Sequence, residues 1–131
     1  MRIGVLGTGM VGVTLASKLV QLDHEVKVGS RTASNPKAAE WAKSNGLKAS
    51  QGTFAEAAAF GEILFNWTAG MASLEALKLA GAKNLKGKIL VDVAYPLDFS
   101  KGMPPILSVC NLDSLGEQIQ RIFPETKVVK T

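Results

Sequence analysis

The chain has 131 residues, enough for one domain with a real core, and its 47% apolar and 20% charged residues are ordinary for a globular protein. One cysteine excludes an internal disulfide, one histidine beside it leaves no standard zinc spacing, and no apolar run reaches the length of a membrane span. The net charge of +4 comes from scattered lysines with few aromatics, which argues against nucleic acid as a partner.

Ile3, Val5 and Leu6 make a short apolar strand that runs straight into Gly7-Thr8-Gly9-Met10-Val11-Gly12, a G-x-G-x-x-G pattern. Arg2-Ile3-Gly4 leads directly into that pattern and does not read as a signal peptide. Val11, Leu15, Leu19 and Leu22 fall at helical spacing and predict a helix from Gly9 or Met10 to Leu22 with that stripe as its apolar face. Strand, glycine turn and helix in succession form the context that gives the motif its meaning. Gly7 permits the tight turn, Gly9 lets a pyrophosphate approach the backbone, and Gly12 lets the helix pack against the strand. The first amides and the positive dipole end of the helix then face the phosphates.

Further on, Glu25 to Gly29 alternates and predicts a second strand. Asn35 is a candidate N-cap with Pro36 at the first helical position, for a helix that stops at Asn45-Gly46. Leu47-Lys48-Ala49 is a weak third strand. Thr53 and Glu56 form a capping box for a short helix ending near Gly61. Glu62 to Asn66 predicts a fourth strand and Ala72 to Ala80 a helix carrying Leu74 and Leu77 toward the sheet. Lys88 to Val93 predicts a buried fifth strand of parallel type. Ala94 to Cys110 is a long proline-containing connection, and connections of that length are often functional. A second capping box, Ser114 with Glu117, opens a helix that Pro124 closes, and Lys127 to Lys130 gives a sixth strand. Alternating strands and helices imply an α/β fold with right-handed crossovers. With the glycine fingerprint on the first strand, the expectation is a doubly wound parallel sheet of the Rossmann type, order 3-2-1-4-5-6, in one domain spanning 1–131.

The end of the second strand distinguishes the two dinucleotides. NAD-binding versions place Asp or Glu there to accept from the ribose 2′-OH. Here the stretch is Val28-Gly29-Ser30-Arg31-Thr32, with no carboxylate. Ser30 can donate to a 2′-phosphate, Arg31 can pair with it and stack on adenine, and Lys37 can add a point charge. The residues therefore point to NADP(H); the alternative for Arg31 is a solvated loop arginine, and Lys37 reads as readily as a solvated helix residue. The nicotinamide half should reach the loops after strands four and five. Asn66, Trp67 and Thr68 stand in one, Ala94 and Tyr95 in the other, with rim packing as the alternative role for the two aromatics. No catalytic acid or base stands out. His24 reads as a turn residue, Cys110 as a buried thiol, and Asp92 and Asp98 as simple cap or turn residues. Hydride transfer between two cofactors needs none of them, because the redox chemistry belongs to the cofactors.

GVLGTGMVGVTLASKL, then HEVKVGSRT with the downstream Lys37, resembles the NADP-binding domain of coenzyme F420-dependent NADP oxidoreductases, and the terminal KVVKT resembles its sixth strand. The likeness covers essentially all 131 residues. It implies that Thr8, Gly9, Met10 and Val11 hold the pyrophosphate, that Ser30 and Arg31 bind the 2′-phosphate, and that hydride passes between NADP(H) and the deazaflavin F420. That family usually continues into a smaller C-terminal domain that helps build the second-substrate cleft and the dimer, which this chain is expected to lack. Two residues inserted before Lys37 also distinguish it. The competing readings are a stand-alone NADPH-binding module and an NADPH-dependent reductase of flavin, ferric or imine substrates. A cytoplasmic protein, without membrane or nucleic-acid partners and possible as a homodimer, completes the expectation.

Overall fold

The first strand is buried on both faces from Ile3 to Leu6, which only a sheet with helices on both sides can provide. A computed structural model describes residues 1–69, 72–93 and 115–130, together with the backbone of 97–98 and 106–107. Its elements are β1 (Arg2–Leu6), α1 (Met10–Gln21), β2 (Glu25–Ser30), α2 (Pro36–Ser44), β3 (Ala49–Thr53), α3 (Phe54–Phe60), β4 (Ile63–Asn66), α4 (Ser73–Ala80), α5 (Ala82–Leu85), β5 (Ile89–Asp92), β6 (Leu97–Asp98), β7 (Ile106–Leu107), α6 (Leu115–Ile122) and β8 (Lys127–Lys130). Six strands pair in the order β3-β2-β1-β4-β5-β8, all parallel. This is the doubly wound Rossmann sheet that the sequence predicts.

Two cores lie on opposite faces of the sheet. Ile3, Val5, Val26 and Val28 pack with Ala16 of α1 and with Ala38 and Trp41 of α2. Leu6, Leu64 and Leu90 pack with Phe54, Ala57, Leu77, Leu85 and Ile119 on α3 to α6. Both cores share one sheet, so the described residues form a single α/β domain. The helix starts follow local chemistry. Asn35 Oδ1 accepts from the Ala38 amide at 3.1 Å with Pro36 at the first position. Thr53 and Glu56 close a complete capping box at 3.1 and 3.2 Å.

Four expectations change. The stripe Val11, Leu15 and Leu22 is exposed, at 63%, 39% and 57%. Gly12 and Ala16 are the buried positions of α1, because a helix this close to a strand tolerates only small side chains on the contact row. The third strand is Ala49–Thr53 rather than Leu47 to Ala49. Leu47 is fully exposed, and β3 is an edge strand held by backbone pairing with β2 along largely polar residues. In the predicted buried fifth strand, Leu90 and Asp92 are fully buried while Ile89 is 40% exposed. A short helix, α5, follows Gly81, and residues 97–98 pair antiparallel with 106–107 inside the long connection. Met71, Ala94, Tyr95, Cys110 and Ser114 lie outside the described residues, as does the side chain of Asp98. Among the described residues no helix is long and apolar enough to cross a membrane.

Candidate cofactor site

Parallel strands order their carboxyl ends along one edge, and a crevice opens where the chain switches from one face to the other, here between β1 and β4. At that point β1 ends in Gly7, whose φ of +120° lies in the region that glycine favours. A Cβ there would stand 2.6 Å from the Trp67 carbonyl oxygen, so no other residue fits without moving the backbone. Gly9 is the opposite case: a Cβ on it would meet nothing within 4 Å, because the corner faces open space. Gly9 is also the N-cap of α1, so no side chain caps that helix, and its first turn carries no acidic residue. The result is a bare backbone corner with positive polarity.

A cavity of about 400 Å³ opens on this corner. Gly7, Thr8 and Gly9 form its floor, Ser30, Arg31 and Thr32 one wall, and Trp67, Thr68 and Ala69 the other. Among the described residues that line it there is no carboxylate. Eight of the sequence-selected residues thus meet around one space. Met10 and Val11 stand on the exposed first turn of α1, and Gly12 is buried behind it. Lys37 lines a neighbouring cavity that shares Thr8 with the first, so it is set apart from Arg31. Asn66 is fully buried and faces the protein rather than the cavity. Sequence reading missed Asn35, Phe54, Ala72 and Ala76 in the lining. The caps at Asn35 and Thr53 were the available signal for the first two, since a helix start beside the β2 end faces the crevice.

The two walls are held differently. On the β4 side, Asn66 Nδ2 donates to Ser73 Oγ and to Asp92 Oδ1, both at 3.1 Å. Asn66 Oδ1 accepts from the Thr68 amide at 3.3 Å and from Thr68 Oγ1 at 2.7 Å. Thr68 Oγ1 and Ser73 Oγ lie 2.8 Å apart. Asp92, fully buried, is also 3.6 Å from Lys130 Nζ. This network fixes the loop from Asn66 to Ala69 against α4 and β5. On the β2 side, Ser30 Oγ donates to the Thr32 carbonyl at 2.7 Å and is itself buried. Arg31 reaches outward and donates from Nη1 to Glu75 Oε1 at 2.7 Å. The hydrogen bond and charge of Arg31 hold the Glu75 carboxyl below its ordinary pKa, and Glu75 in turn raises that of Arg31. His24 and Asp92 do not line the cavity, and among the described residues no three His, Cys, Asp or Glu side chains group as for a metal ion.

With this geometry in place, comparison with known proteins is decisive for the family. Residues 2–96 match the model of the family described as NADP oxidoreductase, coenzyme F420-dependent. The chain belongs to that family. The F420-dependent NADP reductase of Methanothermobacter marburgensis is 38% identical over 111 residues, which cover 78% of this chain and 48% of that protein. A crystal structure of a candidate F420-dependent NADP reductase from Arthrobacter sp. FB24 superposes with a TM-score of 0.90 at 52% identity, covering 99% of this chain and 61% of that one. The chain thus spans about half to three-fifths of the length of these family members. An imine reductase of Streptomyces aurantiacus shares the fold at 19% identity, with a TM-score of 0.72 over 99% of this chain and 40% of its own.

Proposed function

We propose that the chain binds NADP(H) across the glycine corner and acts as an oxidoreductase that passes hydride between this cofactor and a deazaflavin of the F420 type. The observation that carries the reading is a cavity that joins Gly7–Gly9 to Ser30–Thr32, with no carboxylate among its described lining residues. Its volume is in the range of small-molecule sites. The residues fit the group: the open space at Gly9 admits a diphosphate, the uncapped amides of α1 supply donors, and Arg31 supplies a cation beside the place of the 2′ substituent.

When bound, NADP(H) supplies the hydride chemistry itself. The chain's part is to bind and orient. Thr8, Gly9, Met10 and Val11 present backbone donors to the diphosphate. Ser30, Arg31 and Thr32 take the 2′-phosphate, for which the Ser30 hydroxyl turns away from the Thr32 carbonyl. Lys37 adds charge from the adjoining cavity. Trp67 and Thr68, held by Asn66, bound the nicotinamide half. No side chain has to move a proton. F420 as the second substrate is supported by family membership and by the names of the two relatives. A cytoplasmic location and a homodimer belong to the same proposal, and sedimentation of the purified chain tests the second.

Titration with NADPH and NADH, followed through Trp67 and Trp41 fluorescence, tests the cofactor. NADPH should bind at least about tenfold tighter, a gap near 1.4 kcal/mol. Equal affinities would remove the case for Ser30 and Arg31. Mixing with NADPH and oxidised F420 should bleach the deazaflavin absorbance. No bleaching despite firm NADPH binding would reduce the reading to a cofactor-binding unit.

A further inference from the structure

Arg31 and Glu75 are 44 residues apart in the chain, on two different sides of the cavity. Arg31 directly follows β2 and lines the space. Glu75 stands in the first turn of α4, between Ala72 and Ala76, which line it too. Their 2.7 Å contact therefore ties one wall to the other at the rim. The contact uses the guanidinium, which is the group that recognises a phosphate by the same planar donor pattern with which it recognises a carboxylate. Carboxylate and 2′-phosphate compete for one donor.

We propose that Glu75 is a specificity-determining residue of this site: its carboxylate occupies Arg31 in the free protein, and a 2′-phosphorylated nucleotide must displace it. The inference rests on the NADP(H) reading above. It follows that Glu75 weakens binding of the phosphorylated cofactor and leaves binding of its 2′-hydroxyl counterpart almost untouched. The pair is about 60% exposed on both sides, so it opens readily and the brake is modest. Its second effect is repulsion, because a phosphate carrying −1.5 to −2 charges near pH 7 arrives beside a displaced carboxylate. Salt screens that repulsion, so the effect should shrink as ionic strength rises. Such a residue keeps a tightly recognised cofactor exchangeable, which matters where reduced and oxidised forms must leave after each turnover.

The test is a double-mutant cycle on NADPH and NADH dissociation constants in wild type, Glu75→Gln, Arg31→Ala and the double variant. Glu75→Gln should tighten NADPH about three- to tenfold, leave NADH within about twofold and lower the melting midpoint no more than marginally. In the Arg31→Ala background the competition is gone, so the same substitution should tighten NADPH clearly less than in the wild-type background, through relieved repulsion alone, and leave NADH unchanged. If Arg31→Ala abolishes the preference while Glu75→Gln leaves NADPH binding unchanged or weaker, the role of Glu75 falls and the cofactor reading stands. If wild type shows no preference and Arg31→Ala alters neither cofactor, the cofactor reading falls and takes this inference with it.

Discussion

The two walls of the cavity do the same geometric job with opposite physics. The β4 wall is a network, largely buried, in which Asn66, Thr68, Ser73 and Asp92 Oδ1 hold one another at 2.7 to 3.3 Å. The β2 wall ends in an ion pair whose side chains are 60% and 59% exposed. Buried polar groups are expensive to leave unpaired, so the first wall has one arrangement. An exposed ion pair is nearly neutral in free energy, so the second wall can exchange its partner for a ligand. A site that must hold a ring in register at one end and select a charge at the other gains from this division.

The largest effect should come from breaking the buried wall. Asn66→Leu removes the donors to the buried Asp92 and Ser73 and the acceptor for the half-buried Thr68. Urea denaturation should show a loss of about 3 kcal/mol, the magnitude expected when several buried polar groups lose a hydrogen-bond partner at once. A loss under about 1 kcal/mol would mean that this wall is as replaceable as the other, and the contrast would be gone. The second effect is one of binding rather than stability. Arg31→Ala should bring the NADPH-to-NADH affinity ratio from tenfold or more to near one, with no resolvable change in the urea midpoint. A clear drop in that midpoint would make Arg31 part of the framework.

These contrasts also explain which parts of the molecule were legible in the sequence. The glycine corner is local: Gly7, Gly9 and Gly12 carry their geometry in adjacent residues, and so do the caps at Asn35 and Thr53. The order of the strands followed from six strands alternating with helices and the glycine fingerprint on the first of them. The row on α1 was misread by one position, because Gly12 and Ala16 face the sheet and the larger Val11 and Leu15 stand outside. Hydrophobicity marks the large residues, whereas close packing selects the small ones. β3 was placed early because an edge strand paired through Ser50 and Gln51 offers no apolar period. Two features had no sequence signal at all. Asn66 meets Asp92 across 26 residues and Arg31 meets Glu75 across 44, and only the fold brings either pair together.

The smallest effect sharpens the comparison furthest, because it separates exposed from buried charge by sign and by screening. Glu75 has a lowered pKa in the folded protein, caused first by the hydrogen bond from Arg31 and then by its charge. A lowered carboxyl pKa stabilises the fold at neutral pH, and that contribution fades below pH 4.5 and disappears once the pH passes the lowered value. Arg31 stays charged throughout this range, since its own pKa is raised. Side chains 60% and 59% exposed keep the contribution near the limit of detection. Glu75→Gln should therefore run slightly below wild type in stability near pH 7 and merge with it in acid, and 1 M salt should merge the two at every pH. The deficit of Asn66→Leu should survive the same salt almost unchanged, because a buried network lies beyond the reach of mobile ions. If salt erased both deficits, the β4 wall would be as open to solvent as the β2 wall.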